Sequence, residues 1–309
     1  NAVQLMTGSG GWPLNVVTLP DGRPIWGGTY FPPEPRGGHP GFPQILEAVA
    51  DAFANRRLQL QESAKSIMDY VGSLGEREGV GSISPDYLEE AFEDLQKQFD
   101  WDWGGFGNPI KFPQPMVLNY LLRYAQKNNQ SAALDMVKFS LLKMISGGIY
   151  DHVGGGFHRY STDRQWLVPH FEKMLYDNAL MANLLVNVFQ VTQRRVFRDV
   201  ALDIFQYVLR DLTRSDGLFF SAEDADSDGK EGVFYTWTPR ELNDVLGDVH
   251  GNKVAQDMHI TQEGNFEGRS IPHPNHSSWG RLLEDEIDTP WLLISSEDRK
   301  KLLARRSEK

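Results

Sequence analysis

The spacing of apolar residues changes along the chain, from an alternating pattern near the start to a helical pattern further on. Residues 14–19 alternate and are rich in β-branched side chains, and residues 24–30 are suited to return as an antiparallel partner. Residues 20–23 between them have the chemistry of a turn. The pattern therefore predicts a β-hairpin between Trp12 and Tyr30.

Helical periodicity begins after Gly41 and persists to about Leu74, with apolar residues such as Ile45 and Val49 three to four positions apart. Strands followed by a terminal helix are typical of one half of an α/β unit. We therefore expect residues 1–75 to form part of an α/β domain.

Residues 76–84 are rich in glycine, serine and glutamate, which predicts a linker. Ser84-Pro85 then provides a helix cap and a first-turn proline. Later helices are expected at about residues 114–127, 131–146, 170–192 and 196–213, and at the capping box that begins at Thr238. The helical residues 85–309 are therefore predicted to form a second domain.

A glycine-aromatic loop recurs in this second domain. Its copies lie at Gly105, Gly156 and Gly217, separated by 51 and 61 residues, and each interval has room for two helices and their connection. Stacked helical hairpins form either a solenoid or a closed (α/α) barrel. Long, polar and aromatic-rich loops on one side favour the barrel. The predicted fold is therefore mainly α.

Composition limits the partners of this protein. A formal net charge of -11 argues against binding to nucleic acid or to anionic lipid, and no apolar run approaches the length of a transmembrane helix. The chain has no cysteine, which excludes thiolate chemistry and cysteine-ligated metals within it. We expect a cytoplasmic protein that binds a small neutral molecule, with neither a nucleic-acid nor a membrane partner. Because Asn1 stands in place of an initiator methionine, we also expect a fragment of a longer protein.

The segment from Gly147 to Asn178 is the richest in candidate chemistry. It holds three of the eight histidines, and glycines surround Asp151 and His152. Glycine-rich backbone permits close approach of other groups. In the helix expected from His170 onward, Lys173 and Asp177 would share a face with that histidine. A plainer interpretation is an ion pair between Lys173 and Asp177 with His170 as a cap.

Two groups of candidate residues follow from this segment and from the acidic stretch after Ser221. The candidate acid/base residues are Asp151, His152, His158, His170, Glu223, Asp224 and Asp226. The candidate substrate-binding residues are Arg159, Tyr160, Trp166, Glu172, Lys173, Tyr176 and Asp177. Two imidazoles would suit proton exchange at a sugar carbon, whereas two carboxylates would suit hydrolysis of a glycosidic bond. The residues alone leave both reactions open, and such aromatics also commonly form cores.

The acidic stretch 221–231 partly matches a calcium-binding loop. It lacks the bidentate glutamate, because Tyr235 stands at the twelfth position. A turn at Asp228-Gly229 between strands at 218–220 and 233–237 fits better. The histidine spacings match no compact zinc signature. We therefore expect neither a metal nor a cofactor.

Several motifs in this chain occur together in one known family. They are Gly10-Gly11-Trp12-Pro13, Gly27-Gly28-Thr29-Tyr30-Phe31, Lys111-Phe112-Pro113, the segment from Asp151 to Asp163, His170 to Asn178 and Phe220 to Ser227. In their order and length they resemble the family of spermatogenesis-associated protein 20 and its bacterial thioredoxin-domain-containing relatives.

The resemblance implies the C-terminal part of a thioredoxin-like α/β domain, with Trp12-Pro13 at its cis-proline junction, followed by a partial (α/α)6 six-hairpin-glycosidase-like barrel similar to N-acylglucosamine 2-epimerase. One expected function is therefore acid/base chemistry on a sugar, as a hydrolase or an epimerase. The alternative is a thioredoxin-linked redox or chaperone-like protein whose helical domain is a binding platform. A third possibility is a domain that binds a sugar or peptide without transforming it.

Overall fold

The computed structural model describes residues 2–75, 84–107, 109–227, 229–274 and 294–308. The chain divides into two compact units, Asn1–Ile83 and Ser84–Lys309. The predicted linker falls almost wholly outside the described residues. Within the described ranges, no helix is long and apolar enough to cross a lipid bilayer.

The first unit contains the predicted hairpin. Strands β1 (Asn15–Thr18) and β2 (Pro24–Gly28) pair antiparallel, with Asn15 opposite Gly28. The Trp12–Pro13 peptide bond is cis, as the family resemblance implies. The helices of this unit are α1 (Ala2–Thr7), α2 (Phe42–Asn55) and α3 (Arg57–Gly75).

Two details of the first unit differ from the prediction. The helix expected from Gly41 to about Leu74 is interrupted at Arg56, where the backbone leaves the helical region with φ -130° and ψ 33°. The short helix α1 was not predicted, because one turn and a half carries too little periodicity to be recognised.

The second unit is mainly helical and confirms the predicted fold class. Its helices are α4 (Asp86–Gln98), α5 (Pro115–Asn128), α6 (Ser131–Ile145), α7 (Leu175–Thr192), α8 (Arg195–Asp211), α9 (Pro239–Leu246), α10 (Asp248–Asp257) and α11 (Ser296–Arg306). Neighbouring helices pack as pairs, α5 with α6, α7 with α8 and α9 with α10. These successive hairpins agree with a partial (α/α) barrel.

The core explains why these helices form. Apolar residues of α5, α6, α7 and α8 pack together with almost no exposure, including Leu121, Met136, Leu185 and Ile204. Both α6 and α7 bury side chains on most sides, so their periodicity is less amphipathic than that of α8. At α9 the predicted capping box is present, since the Glu241 amide donates to Thr238 Oγ1 at 3.2 Å.

Within the described residues, six two-residue strands form in the loops between helices. Strand β3 (Tyr160–Ser161) pairs with β4 (Pro169–His170), β5 (Lys173–Met174) with β6 (Ala222–Glu223), and β7 (Asp226–Ser227) with β8 (Lys230–Glu231). The helix predicted over 170–192 was therefore wrong in its first turn, since α7 begins at Leu175. Pairing with the two neighbouring loops holds the preceding residues extended.

The acidic stretch also differs in detail from the prediction. The pairing of β7 with β8 agrees with a turn at 228–229, although Asp228 lies outside the described residues. Strands β7 and β8 lie directly beside residues 228–229, whereas the sequence predicted strands at 218–220 and 233–237. Residues 232–235 form a turn where a strand was expected over 233–237, because the Tyr235 and Thr236 amides both donate to the Gly232 carbonyl.

Candidate active site

The glycines around Asp151 make room for other parts of the protein. A Cβ on Gly154 would lie 1.9 Å from Arg306 Nη2, and one on Gly156 would lie 2.6 Å from the Tyr207 ring. Gly156 also has a φ of +81°, which side chains rarely adopt. The loop is therefore shaped for internal packing against α8 and α11, not for a cleft open to a ligand.

A group of three charged residues, Asp151, Lys173 and Arg306, lies inside this loop, and we call it the buried ion cluster. Arg306 donates to both Asp151 oxygens at 3.0 and 2.8 Å, and Lys173 Nζ donates to Asp151 Oδ2 at 2.7 Å. Burial by itself raises the pKa of Asp151, but Arg306 and Lys173 hold that pKa well below its usual value. Lys173 thus pairs with Asp151, and not with Asp177 as the plainer interpretation of the sequence had it.

Two candidate histidines are also buried. His152 is 4% exposed, with Nε2 3.0 Å from the Gly147 carbonyl, and His158 is 2% exposed, with Nδ1 2.9 Å from the Phe171 carbonyl. Burial lowers the pKa of His152 to about 4, and burial followed by the charge of Lys173 lowers that of His158 to about 3. Both rings are neutral and enclosed near pH 7. They are not placed to contact a substrate.

This burial predicts acid sensitivity. Between pH 6.5 and about 4, both histidines take up protons in the unfolded chain and stay neutral in the fold. Stability should therefore be fully present above pH 6.5 and should fall by about 1.4 kcal/mol per pH unit for each histidine as pH drops. Denaturant titrations of the wild type and of His152→Asn and His158→Asn measure this slope, and each variant should remove one histidine's share. An unchanged slope in both variants would contradict the prediction.

Backbone alternation determines which candidates face outward. Pro169, Phe171 and Lys173 are buried, whereas His170 and Glu172 between them are partly exposed. Side chains alternate in this way along extended backbone. His170 and Glu172 therefore lie on the same outer side, where the Arg159 amide donates to the Glu172 carbonyl at 2.8 Å.

Five charged or titratable side chains meet on this outer side, and we call them the rim cluster. They are Arg159, His170, Glu172, Asp177 and Glu231. Arg159 Nη1 donates to Glu172 Oε2 at 2.9 Å, and that carboxylate lies 3.8 Å from His170 Nε2. The other ring nitrogen, Nδ1, lies 2.7 Å from Glu231 Oε1. One imidazole is thus held between two carboxylates.

Asp177 has the most unusual carboxyl group of the rim cluster. Burial raises its pKa to about 6; the charge of Arg159 opposes this rise and that of Glu172 adds to it. Its Oδ2 is buried without a hydrogen-bond partner, as is Nε of Arg159. A carboxyl group with a pKa near neutrality and an unpaired oxygen is suited to exchanging protons.

Aromatic rings border the rim cluster. Tyr160 stacks on His170 with ring centroids 5.0 Å apart, and the Phe112 ring lies 5.0 Å from the Tyr160 ring. Tyr176, in the first turn of α7, is 50% exposed, and Phe112 is 44% exposed. The rim cluster therefore has exposed aromatic surface beside its polar groups.

The remaining candidates lie elsewhere. Trp166 is fully buried and donates from Nε1 to the Trp103 carbonyl at 2.8 Å, so it is part of the interior and not a binding surface. Glu223 accepts a hydrogen bond from the Tyr207 hydroxyl at 2.9 Å. Asp224 is exposed, and Asp226 is exposed opposite Glu231 on the β7–β8 hairpin.

Two residues of this region were missed in the sequence. Glu231 was considered only as part of a calcium-binding loop, and its neighbour Gly232 was the available signal, because a Cβ there would lie 2.5 Å from the Phe171 ring. Phe112 follows Lys111, whose amide exchanges hydrogen bonds with Ser161. Across the described residues, no three histidines or carboxylates are grouped so as to hold a metal ion.

Comparison with known proteins gives relatives along most of the chain. Residues 1–72 match the Thioredox_DsbH family, described as a protein of unknown function, DUF255. Spermatogenesis-associated protein 20 of Mus musculus is 39% identical over 295 residues, and that of Homo sapiens is 37% identical over 294 residues. These alignments cover 88% and 87% of this chain and 37% of each relative, so the chain spans little more than a third of their length.

The solved structures to which this chain is similar match it only distantly. A sugar epimerase from a ruminal bacterium is 15% identical, with a TM-score of 0.39, over 54% of this chain and 49% of that chain. This likeness is too weak to carry residue roles from that enzyme to the rim cluster.

Proposed function

We propose, from the premise that the chain belongs to the family of spermatogenesis-associated protein 20, that its helical unit catalyses proton transfer on an uncharged sugar-like molecule at the rim cluster. The observation that carries this proposal is the presence of an imidazole and a partly buried carboxyl group in the same rim cluster. His170 is held by Glu231 through one ring nitrogen, and Asp177 has a pKa of about 6. Both side chains are partly exposed.

The arrangement supports proton transfer better than hydrolysis of a glycosidic bond. Hydrolysis uses two carboxyl groups on opposite sides of the bond. Within the rim cluster, Glu172 is neutralised by Arg159 and Glu231 is held by His170. Asp177 is the carboxyl group there with an unpaired buried oxygen. An imidazole oriented by a carboxylate and a second group of pKa near 6 together supply one base and one acid.

The charges of the rim cluster favour a neutral substrate. The cluster contains three carboxyl groups and one guanidinium, which already binds one of them. A phosphate or carboxylate group would meet more negative than positive charge there. Sugar hydroxyls both donate and accept hydrogen bonds, and exposed Tyr176 and Phe112 offer faces on which a sugar ring can stack.

Deuterium exchange tests the proposal. The protein is incubated in deuterium oxide with a panel of neutral aldoses, ketoses and disaccharides, and NMR follows deuterium entering the carbon next to the carbonyl. We expect His170→Asn to lower the exchange rate by about 10²- to 10⁴-fold, because it removes one of the two exchanging groups.

His250→Asn is the matched control, since that histidine is 66% exposed on α10 and lies outside the rim cluster. If the wild type exchanges deuterium into a sugar and His170→Asn does so at the same rate, His170 is not one of the exchanging groups. Release of reducing ends from a disaccharide without deuterium incorporation would instead identify a hydrolase.

A thioredoxin-linked function is the second candidate. It is supported by the match of residues 1–72 to a thioredoxin-type family and by the β1–β2 hairpin within those residues. The chain has no cysteine, so its own residues cannot exchange thiols and disulfides. In this function the helical unit would act as a binding platform. Calorimetric sugar binding without any deuterium exchange would instead favour the third possibility, a domain that binds a sugar without transforming it.

A further inference from the structure

We infer that Lys173 is a positioning residue for the proposed site: by binding Asp151 inside the protein, it fixes which side chains of residues 169–174 face the rim cluster. The effect of Lys173 on catalysis rests on the proposed function, whereas its effect on the backbone register does not. Lys173 is completely buried and cannot reach a substrate, although its sequence position suggested a binding role.

Three contacts hold the Lys173 ammonium group. Its Nζ donates to Asp151 Oδ2 at 2.7 Å and to the Gly155 carbonyl at 2.8 Å, and it lies 4.3 Å from the centre of the Tyr207 ring. A buried ammonium group needs such partners, since moving it from water is costly when its charge is unpaired. An outward orientation of Lys173 would give up all three contacts.

Because the backbone here is extended, the inward direction of the Lys173 side chain also determines the directions of the His170 and Glu172 side chains. Lys173 is opposite Glu223 in the β5–β6 pair, and successive side chains of a strand point to opposite sides. With Lys173 directed inward, Glu172 and His170 are directed outward. A slip of one residue would exchange the two sides and would place Glu172 in the interior. It would also separate Glu172 from Arg159.

Hydrogen exchange of backbone amides reports this register without any assay of turnover. The Arg159 amide donates to the Glu172 carbonyl at 2.8 Å, and the Leu175 amide donates to the Ser221 carbonyl at 2.9 Å. In Lys173→Met, which keeps most of the length of the side chain and removes its charge, we expect both amides to exchange at least about tenfold faster relative to the amides of α6. Lys173→Gln keeps a donor for Gly155 and should give an intermediate rate.

Arg299→Met is the matched control on α11. Arg299 binds both oxygens of Asp203 at 2.8 and 3.0 Å, so this variant breaks a buried ion pair that has no member in β5. It should lower overall stability without selectively accelerating the Arg159 and Leu175 amides. Equal acceleration in the two methionine variants, or unchanged exchange of both amides in Lys173→Met, would overturn the inference.

Turnover separates this inference from the proposed function. If deuterium exchange into a sugar is found, Lys173→Met should lower kcat by at least about tenfold, because a misplaced His170 no longer meets the substrate correctly. An unchanged kcat would show that Lys173 does not position the site. If no sugar is turned over, the amide rates alone still decide whether Lys173 sets the register.

Discussion

Asp151→Asn should lower the free energy of unfolding of the helical unit by about 3–5 kcal/mol. The substitution keeps the shape of the side chain but removes the charge that Arg306 and Lys173 share, and both of these side chains are almost completely buried. Two cations would then face each other in the interior without a counter-ion. Denaturant unfolding followed by the circular dichroism of the helices measures the loss.

Asp135→Asn provides the control for this prediction. Asp135 binds Lys138 at 2.9 Å on the surface of α6, where its side chain is 58% exposed. Exposed pairs contribute about 1 kcal/mol or less, so the control should be nearly as stable as the wild type. If Asp151→Asn were equally mild, the buried ion cluster would not hold the loop and α11 together.

Asp177→Asn should lower the rate of the proposed proton transfer by about 10²- to 10⁴-fold. It should also change the dependence on pH. Because the pKa of Asp177 is about 6, a base at this position loses activity as pH falls below about 6, and the variant should lack this limb. Rates of deuterium incorporation from pH 5 to 8 test both expectations.

Unfolding cannot account for a lower rate in Asp177→Asn, because this substitution should not lower the stability of the fold. In the unfolded chain Asp177 loses its proton near its usual pKa of 3.8, whereas in the fold it keeps the proton to about pH 6. The native state therefore binds more protons in this window, and stability falls as pH rises through it. At pH 7 Asp177→Asn should be as stable as the wild type or more stable.

Asp216→Asn is the activity control, since Asp216 pairs with Arg214 in an exposed turn after α8. This control should keep both the rate and the limb near pH 6. A limb that persists in Asp177→Asn would assign the titration to another group.

The helices of this protein are predictable because each has its own periodicity and end signals. Pro115 begins α5, Thr238 and Glu241 cap α9, and the apolar spacing of Leu118, Leu121 and Leu122 marks the buried face of α5. These signals are local, so a single sequence is enough to find them. The hairpin of β1 and β2 was found in the same way.

The segment 169–174 could not be predicted, for a specific physical reason. Its inward positions are Pro169, Phe171 and Lys173, and a lysine among them hides the alternation that marks a strand. Lysine is an inward residue here only because Asp151, 22 residues earlier, neutralises it. Without that pairing the segment has the pattern of a helix N-terminus after a proline.

The sequence by itself determined that the chain contains a hairpin, a series of helical pairs and one loop region dense in titratable residues. Only the tertiary structure decided how that region divides, with Asp151, His152, His158 and Lys173 inside and Arg159, His170, Glu172 and Asp177 at the rim. The division depends on pairing between residues far apart in the chain, Arg306 with Asp151 and Glu231 with His170. Periodicity within a short window carries no information about such contacts.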